Sequence, residues 1–440
     1  MPIEIMEILN ILNKEGFAAY IVGGALRDYL MGKEPYDFDV ATSAEPDEVE
    51  EIFKDYILNT VGKKFGTISI RYKGYDLEIT TFRTEGHYEK NRKPKEVSYV
   101  ESLEEDLKRR DFTINALAYN EKSGLIDFFS GREDLENKIV RAVGNPKERI
   151  EEDALRIIRA IRFAGSLNFK IERELYRSIV ENRLLLKNIS KERIAMEFNK
   201  ILLSEIPSRS LKIMADSKVL DVLFPDLAKT VGYNQKTPYH IKTLFDHLLC
   251  VVDNVAPILT LRLAALFHDV AKPLTLSIDE EGIGHFYGHD LLGSEICENV
   301  LRDYNYSKAT IKTVKLLIED HMKVHENMTD KALRKQIRRV GRDNVLNLYD
   351  LLIADRFCTL EDRDVEFLKV RKNRIKELLE EKTSYDRFLN INGKDLIDLG
   401  FQEGKIIGEI LNYLTEAVLE NPSLNNKDTL LEIVKEKYRS

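Results

Sequence analysis

Asp37 and Asp39 stand one residue apart in Asp37-Phe38-Asp39-Val40, and on a strand the period of two puts both carboxylates on one face and Phe38 on the other. Two carboxylates on one exposed face repel each other unless a cation lies between them. Oxygen ligands of this kind suit Mg²⁺, which takes one or two carboxylates plus waters and phosphate oxygens. Two-metal phosphoryl transfer needs that arrangement. A third acid is expected from a neighbouring strand, and Glu78 in the alternating run DLEIT is the candidate. Gly23 and Gly24 stand where a strand gives way to a helix, a geometry that lets backbone amides approach a phosphate. An isolated acid pair after Pro35 would also suit a turn. A second set of chemistry-bearing residues, His247, His268-Asp269, His289, His321 and Asp355, is spread over consecutive helical stretches further on.

The elements that must position the first group are short and mixed. From Phe17 to about Phe82, apolar alternation switches with helical runs, and GTISIRYKGYDLEITTF reads as a hairpin turning at Lys73-Gly74. Residues 83–98 are polar and almost free of aliphatic side chains, which marks a mobile loop of the kind that can carry function. Helical patterns follow almost without interruption to the C-terminus. The fold class expected is α+β: a small mixed-sheet head followed by helical regions. The chain has 440 residues, 32% charged and 43% hydrophobic, with a net charge of −8, so it is not a polycation that binds nucleic acid by bulk charge. Charge is local instead: residues 141–200 hold 14 Lys/Arg against 9 Asp/Glu, a strip that suits a phosphate backbone. Cys250, Cys297 and Cys358 form neither an even set nor a CxxC, which argues against a disulfide framework or a zinc knuckle and for a reducing compartment. No apolar run approaches about 18 residues, and the N-terminus reads as an acidic amphipathic helix rather than a signal peptide. A cytoplasmic protein with no membrane partner is expected.

GGALRD, DFD, RRDFTINALAYN from Arg109, GREDLENKIVRAVGNP from Gly131, EDALRIIRAIRF from Glu152 and SKERIAMEF from Ser190 occur in that order. Over residues 17–205 this set resembles class II tRNA nucleotidyltransferases, the CCA-adding enzymes and their poly(A) polymerase relatives. The resemblance implies a polymerase-β-like catalytic head and a helical neck, body and tail that hold tRNA. Asp37 and Asp39 would hold two Mg²⁺ ions while the tRNA 3′ hydroxyl attacks the α-phosphate of CTP or ATP and pyrophosphate leaves. Gly24 and Arg27 would contact the triphosphate, with Gly23 beside them. Arg110, Asp111 and Asn115 of RRDFTINA would belong to the nucleotide site. Planar guanidinium contacts favour Arg over Lys there.

In the neck, Asp153, Arg156, Arg159 and Arg162 recur at i, i+3, i+6 and i+9, which lays them along one drifting helix face. Asp153 only accepts hydrogen bonds and Arg156 only donates them, a pair that matches the exocyclic amine and ring nitrogen shared by cytosine and adenine. Uracil and guanine would leave buried polar groups unpaired. Arg159 and Arg162 would serve phosphates or brace Asp153. The Gly66-Thr67 step after Phe65 looks like the tRNA enzymes rather than the poly(A) polymerases, and the 83–98 loop is lacking in relatives that add only CC. CCA addition is therefore the leading expectation, and an A-adding or poly(A)-adding enzyme the alternative.

The order His247, His268-Asp269, His289, His321, Asp355 resembles the HD superfamily of metal-dependent phosphohydrolases over about residues 240–360. By that resemblance His247, His268, Asp269 and Asp355 would hold one divalent transition metal. Mixed imidazole and carboxylate ligands suit Mn²⁺, Ni²⁺, Fe or Zn better than Mg²⁺. His289 and His321 would complete a second metal or contact phosphate. Cleavage of a 2′,3′-cyclic phosphate or a 2′-phosphate is the implied activity, and an HD phosphohydrolase with a non-catalytic RNA-binding head is a further alternative. His240, His285 and His325 have no assigned role. The expected regions are a head over 1–138, a neck and body over 139–225, an HD region over 226–362 and a tRNA-binding tail over 363–440. Arg334, Lys335, Arg338, Arg339 and Arg342 offer a basic helix face to tRNA. The expected partners are tRNA, CTP and ATP, and not DNA; the sequence leaves the oligomeric state open.

Overall fold

The acidic helix expected at the start forms over Ile3–Lys14 (α1) and buries Ile5, Ile8, Leu9 and Leu12 against a sheet. In this computed structural model the residues described are 1–35, 37–85, 97–237, 242–325, 328–359, 364–380 and 389–438. The expected loop over 83–98 falls mostly outside them, as does His240. The chain divides into two units, Met1–Lys229 with Asp303–Asn305, and Thr230–Arg302 with Tyr306–Ser440. The head and the neck-and-body region share the first unit.

The head sheet is built from β1 (Ala19–Val22), β2 (Phe38–Thr42), β3 (Ile57–Asn59), β4 (Thr67–Tyr72), β5 (Tyr75–Thr81), β8 (Leu117–Asn120) and β9 (Gly124–Asp127), in the order β3-β4-β5-β2-β1-β8-β9. A two-stranded ribbon, β6 (Arg83–Glu85) with β7 (Val97–Tyr99), stands apart from it. The expected hairpin is present: Tyr72 faces Tyr75 across Lys73 and Gly74, both at positive φ, as a tight two-residue turn requires. β2 and β5 pair in parallel, with Phe38, Val40, Leu77 and Ile79 on the face that α1 covers. Asp39 and Glu78 are register partners and share the other face. The expectation of helical patterns almost without interruption after residue 98 is corrected here. The short runs LAYN and GLID, which fall in that stretch, are β8 and β9, because pairing of β8 with β1 and of β9 with β8 rather than local periodicity decides them.

Helices α2 (Gly23–Leu30), α3 (Pro46–Ile52), α4 (Leu103–Lys108) and α5 (Gly131–Glu136) complete the head. Then follow α6 (Pro146–Glu152), α7 (Leu155–Leu167), α8 (Arg173–Asn182), α9 (Lys191–Leu202) and α10 (Pro207–Asp216). α7 buries Ile157, Ile158, Ile161 and Ala164 and ends at Asn168 in the left-handed conformation. Its Gly165 lets α10 approach: a Cβ there would lie 2.0 Å from Ser210 Oγ.

The second unit is helical around α13 (Leu244–Asp253), α14 (Leu259–Phe267), α16 (His289–Asp303), α17 (Lys308–Asp320), α18 (Asp330–Val340) and α19 (Arg342–Thr359). Cys250 on α13 and Cys358 on α19 form a disulfide across 108 residues, and Cys297 is buried and free. This corrects the reading of the cysteines and removes the support they gave for a reducing compartment: spacing along the chain does not show that two helices pack side by side. Among the described residues no helix is long and apolar enough to cross a membrane.

Candidate active site

Residues of the head and of α7 and α9 line one cleft of about 1070 Å³ in the first unit. Gly23 opens α2 at φ +75, and a Cβ there would meet Asp39 Oδ2 at 2.7 Å, so no other residue lets the helix start so close to that carboxylate. Asp37 is exposed just before β2, Asp39 is partly buried within it, and Glu78 lies opposite on β5. Burial raises the Asp39 carboxyl to about 6, with Glu78 and Asp37 adding to the rise and Arg110 opposing it. A buried carboxyl with two further acids beside it fits a divalent cation, whose ligands would be Asp37 and Asp39 with Glu78 beside them.

The opposite chemistry gathers around α4 and the turn after it. Asp106, 1% exposed, accepts from Arg109 at 2.7 Å and from Arg110 at 3.3 Å. Burial works against that carboxylate's charge, but Arg110 and Arg109 outweigh it and hold the group below its ordinary value. Arg110 Nε is buried and has no hydrogen-bond partner among the described residues, a donor left for an anionic ligand. Arg27 Nη1 donates to Asn115 Oδ1 at 2.8 Å, and Asn115 Nδ2 donates to Asp111 Oδ1 at 3.1 Å. Arg159 Nε then donates to Asp111 Oδ2 at 2.8 Å, and Arg162 Nε to Glu197 Oε2 at 2.6 Å. Asn115 therefore joins two charged side chains. Asp111 stays ionised against its burial because Arg159 and Asn115 face it.

Asp153 departs from the expected helix face. It caps the end of α6 with extended backbone (φ −140, ψ 101), and its Oδ1 accepts the Leu155 amide at 3.1 Å, so it stands in the break before α7 rather than on that helix. The i, i+3 spacing read as one helix spans two. Arg193 of α9 holds the Asp153 carboxylate, with Nη2 to Oδ2 at 2.7 Å. Arg156 is buried and donates to Glu152 at 2.7 Å and to the carbonyls of Arg149 and Arg109. Nor do Arg159 and Arg162 bond Asp153: their carboxylate partners are Asp111 and Glu197.

In the second unit six residues meet: His247 on α13, His268 and Asp269 just past α14, His289 at the start of α16, His321 just past α17 and Asp355 on α19. His247 Nε2 lies 3.1 Å from Asp355 Oδ1 and 3.7 Å from Asp269 Oδ2, and His268 Nε2 lies 3.3 Å from Asp269 Oδ2. His289 and His321 approach the other oxygen, Asp269 Oδ1, at 3.1 and 3.7 Å. Asp269 thus belongs to two candidate ligand groups, His247-His268-Asp269-Asp355 and Asp269-His289-His321. His268, His289 and His321 each turn Nδ1 to the carbonyl three residues earlier, Ala265, Phe286 and Ile318, which presents Nε2 to the shared space. Burial disfavours a charge on His268, yet Asp269 and Asp355 raise it to about 10. Asp269 Oδ2 also meets Lys272 Nζ at 2.6 Å, and the imidazole nitrogens and carboxylate oxygens that converge here are a donor set that fits a divalent metal.

The first unit and its neighbour also match known proteins. A family profile described as "Poly A polymerase head domain" matches residues 19–141, "Probable RNA and SrmB- binding site of polymerase A" matches 168–230, and "tRNA nucleotidyltransferase domain 2" matches 290–434. The CCA-adding enzyme of Ligilactobacillus salivarius is 34% identical over 99% of this chain and 97% of its own length. That of Pediococcus pentosaceus is 35% identical over 99% and 98%. The chain belongs to the CCA-adding enzyme family. The crystal structure of the Bacillus stearothermophilus CCA-adding enzyme in complex with CTP is 29% identical, covers 99% of this chain and 98% of its own, and superposes with a TM-score of 0.75. The α+β class with a mixed-sheet head follows that relative, and the chain is a nucleotidyltransferase.

Within this family member, the cleft gathers every head and neck residue expected from the sequence: Gly23, Gly24, Arg27, Asp37, Asp39, Glu78, Arg110, Asp111, Asn115, Asp153, Arg156, Arg159 and Arg162. It also holds Arg83, Arg109, Phe163, Arg193 and Lys200, which sequence reading did not single out. Arg193 lay inside the SKERIAMEF run, but no local signal pairs it with Asp153, 40 residues away. Of the expected basic face, Arg334 is buried and donates to the Leu419 carbonyl, while Lys335, Arg338, Arg339 and Arg342 are exposed, Lys335 pairing with Glu416 at 2.7 Å and Arg339 with Asp320 at 2.6 Å.

Proposed function

We propose that this chain adds C, C and A to the 3′ end of tRNA from CTP and ATP without a nucleic-acid template. The observation that carries the reading is the cleft itself, where the acids Asp37, Asp39 and Glu78 face the donors Arg27 and Arg110. The relative whose structure holds CTP supports the same substrate class. Asp37 and Asp39 would hold divalent cations, Mg²⁺ by ligand type, which would supply activation of the 3′ hydroxyl and charge stabilisation at the α-phosphate. Gly24 and Arg27 bind the triphosphate, and Arg110 directs its buried Nε–H at the phosphate oxygens. The 3′ oxygen forms a bond to the α-phosphorus as the bond to the β-phosphate oxygen breaks, and pyrophosphate leaves. Asp153, fixed by Arg193, accepts from the exocyclic amine of cytosine or adenine, and Arg156 donates to the ring nitrogen. A tRNA substrate supports a cytoplasmic place of work. In an assay with labelled CTP and unextended tRNA, Asp37→Ala should lower incorporation at least about 10³-fold; near-normal incorporation would remove the two-metal assignment.

A second reading belongs to the other unit, on the observation that two candidate ligand groups, six side chains in all, share Asp269. We infer a divalent transition-metal site there that hydrolyses a cyclic or terminal phosphate. Calorimetry with Mn²⁺ or Ni²⁺ should give binding that His268→Ala removes; equal binding by that variant would sink the site.

A further inference from the structure

We propose that Phe163 is a positioning residue for nucleotide binding, holding the guanidinium groups of Arg27, Arg159 and Arg162 at the wall of the cleft that takes the triphosphate. The proposal rests on the triphosphate site described above. Phe163 lies on α7, one residue after Arg162 and four after Arg159, and Arg27 arrives from α2 of the head. The guanidinium carbons lie 4.1 Å (Arg162), 5.1 Å (Arg27) and 5.4 Å (Arg159) from the centre of its ring. The ring is 6% exposed, lines the cleft, and is fixed by the edge of Phe112 at 5.7 Å.

Three like charges so close repel one another, and burial and Arg159 disfavour the charge on Arg162. Two partners offset this, and they act differently. Asp28, Asp111 and Glu197 take N–H donors of Arg27, Arg159 and Arg162 respectively. An aromatic ring attracts the cation through the flat face of the guanidinium and takes none of the N–H donors that the carboxylates leave over. A further carboxylate in place of the ring would hold the cations more strongly but would compete with phosphate for those remaining donors. An aliphatic side chain of similar size would fill the space without attracting anything. A ring therefore suits a site that must keep cations in place and still yield their hydrogen bonds to an incoming anion.

The test replaces Phe163 in the full chain with 4-fluoro-, 3,5-difluoro- and 3,4,5-trifluorophenylalanine, which keep the ring's shape while draining charge from its face. Phe163→Leu is made alongside. The dissociation constants and KM for CTP and ATP should rise stepwise with fluorination and reach about tenfold for Phe163→Leu, while kcat changes less than about twofold. CTP and ATP should respond alike, since they share the triphosphate. Unchanged KM across the fluorinated series, or a fall in kcat alone, would overturn the proposal and leave Phe163 as ordinary packing. If Phe163→Leu fails to fold, the fluorinated series still decides. Wild-type protein that binds neither nucleotide would overturn the triphosphate site, and this proposal with it.

Discussion

Asp39 shows how a single side chain reports on its surroundings. Its carboxyl is raised from 3.8 to about 6, chiefly by burial and further by Glu78 and Asp37. For an acid shifted upward, the fold disfavours the ionised form, so the cost is absent below the ordinary value, grows as pH rises through about 4 to 6, and is complete above it. A divalent cation removes that cost only where the group is ionised. Mg²⁺ should therefore raise the melting temperature more at about pH 7.5 than at about pH 5, and Asp39→Asn should erase the difference in melts run with and without the ion. Equal Mg²⁺ effects at both pH values would contradict the assignment. Arg193 makes the other prediction at this scale. Without it the Asp153 carboxylate loses its brace, so Arg193→Ala should raise KM for CTP and ATP by roughly tenfold and increase misincorporation of UTP, both read in primer-extension kinetics. Gly23, Asp37, Asp39 and Glu78 were legible in the sequence because spacing of two and a strand-to-helix glycine are local signals. The Arg193 brace was not, since a pair 40 residues apart leaves no periodic trace.

Elements were legible where periodicity is long. α1 and the β4–β5 hairpin follow from their patterns, whereas β8 and β9 exist because β1 offers them an edge. The break between α6 and α7 was hidden by helical residues on both sides, and Asp153 is what ends one helix and caps the next. The packing of α7 on α10 depends on Gly165 having no side chain. Gly165→Val should destabilise the protein by about 1–3 kcal/mol, measured by urea unfolding. An unchanged midpoint would show that α10 moves aside at no cost. The disulfide between α13 and α19 had no sequence signal either. It lies three residues beyond His247 on one helix and three beyond Asp355 on the other, so it ties together two helices that carry candidate metal ligands.

On the scale of the whole chain, each unit holds one cluster of acids that calls for cations, built from different donor types. Carboxylates alone serve the first, and imidazoles with carboxylates the second. If these are independent centres, Asp37→Ala should remove nucleotide addition and leave metal binding at His268 intact, and His268→Ala should do the reverse. Joint loss in either correctly folded variant would contradict that separation. The parting of the units near Thr230 was close to a run of prolines in the sequence, but which helices share a unit was not readable from pattern. Family resemblance in the ordered motifs anticipated the relatives found, while the 86–96 segment, on which a distinction from CC-adding relatives rested, lies outside the described residues.

The central claim is tested most directly by extending three tRNA transcripts, ending at the discriminator base, after C and after CC, with labelled CTP or ATP and Mg²⁺. The account predicts two C and then one A on the first, one C and one A on the second, and one A on the third. Incorporation of ATP on the CC-ended transcript with none of CTP on the others would contradict it and identify an A-adding enzyme.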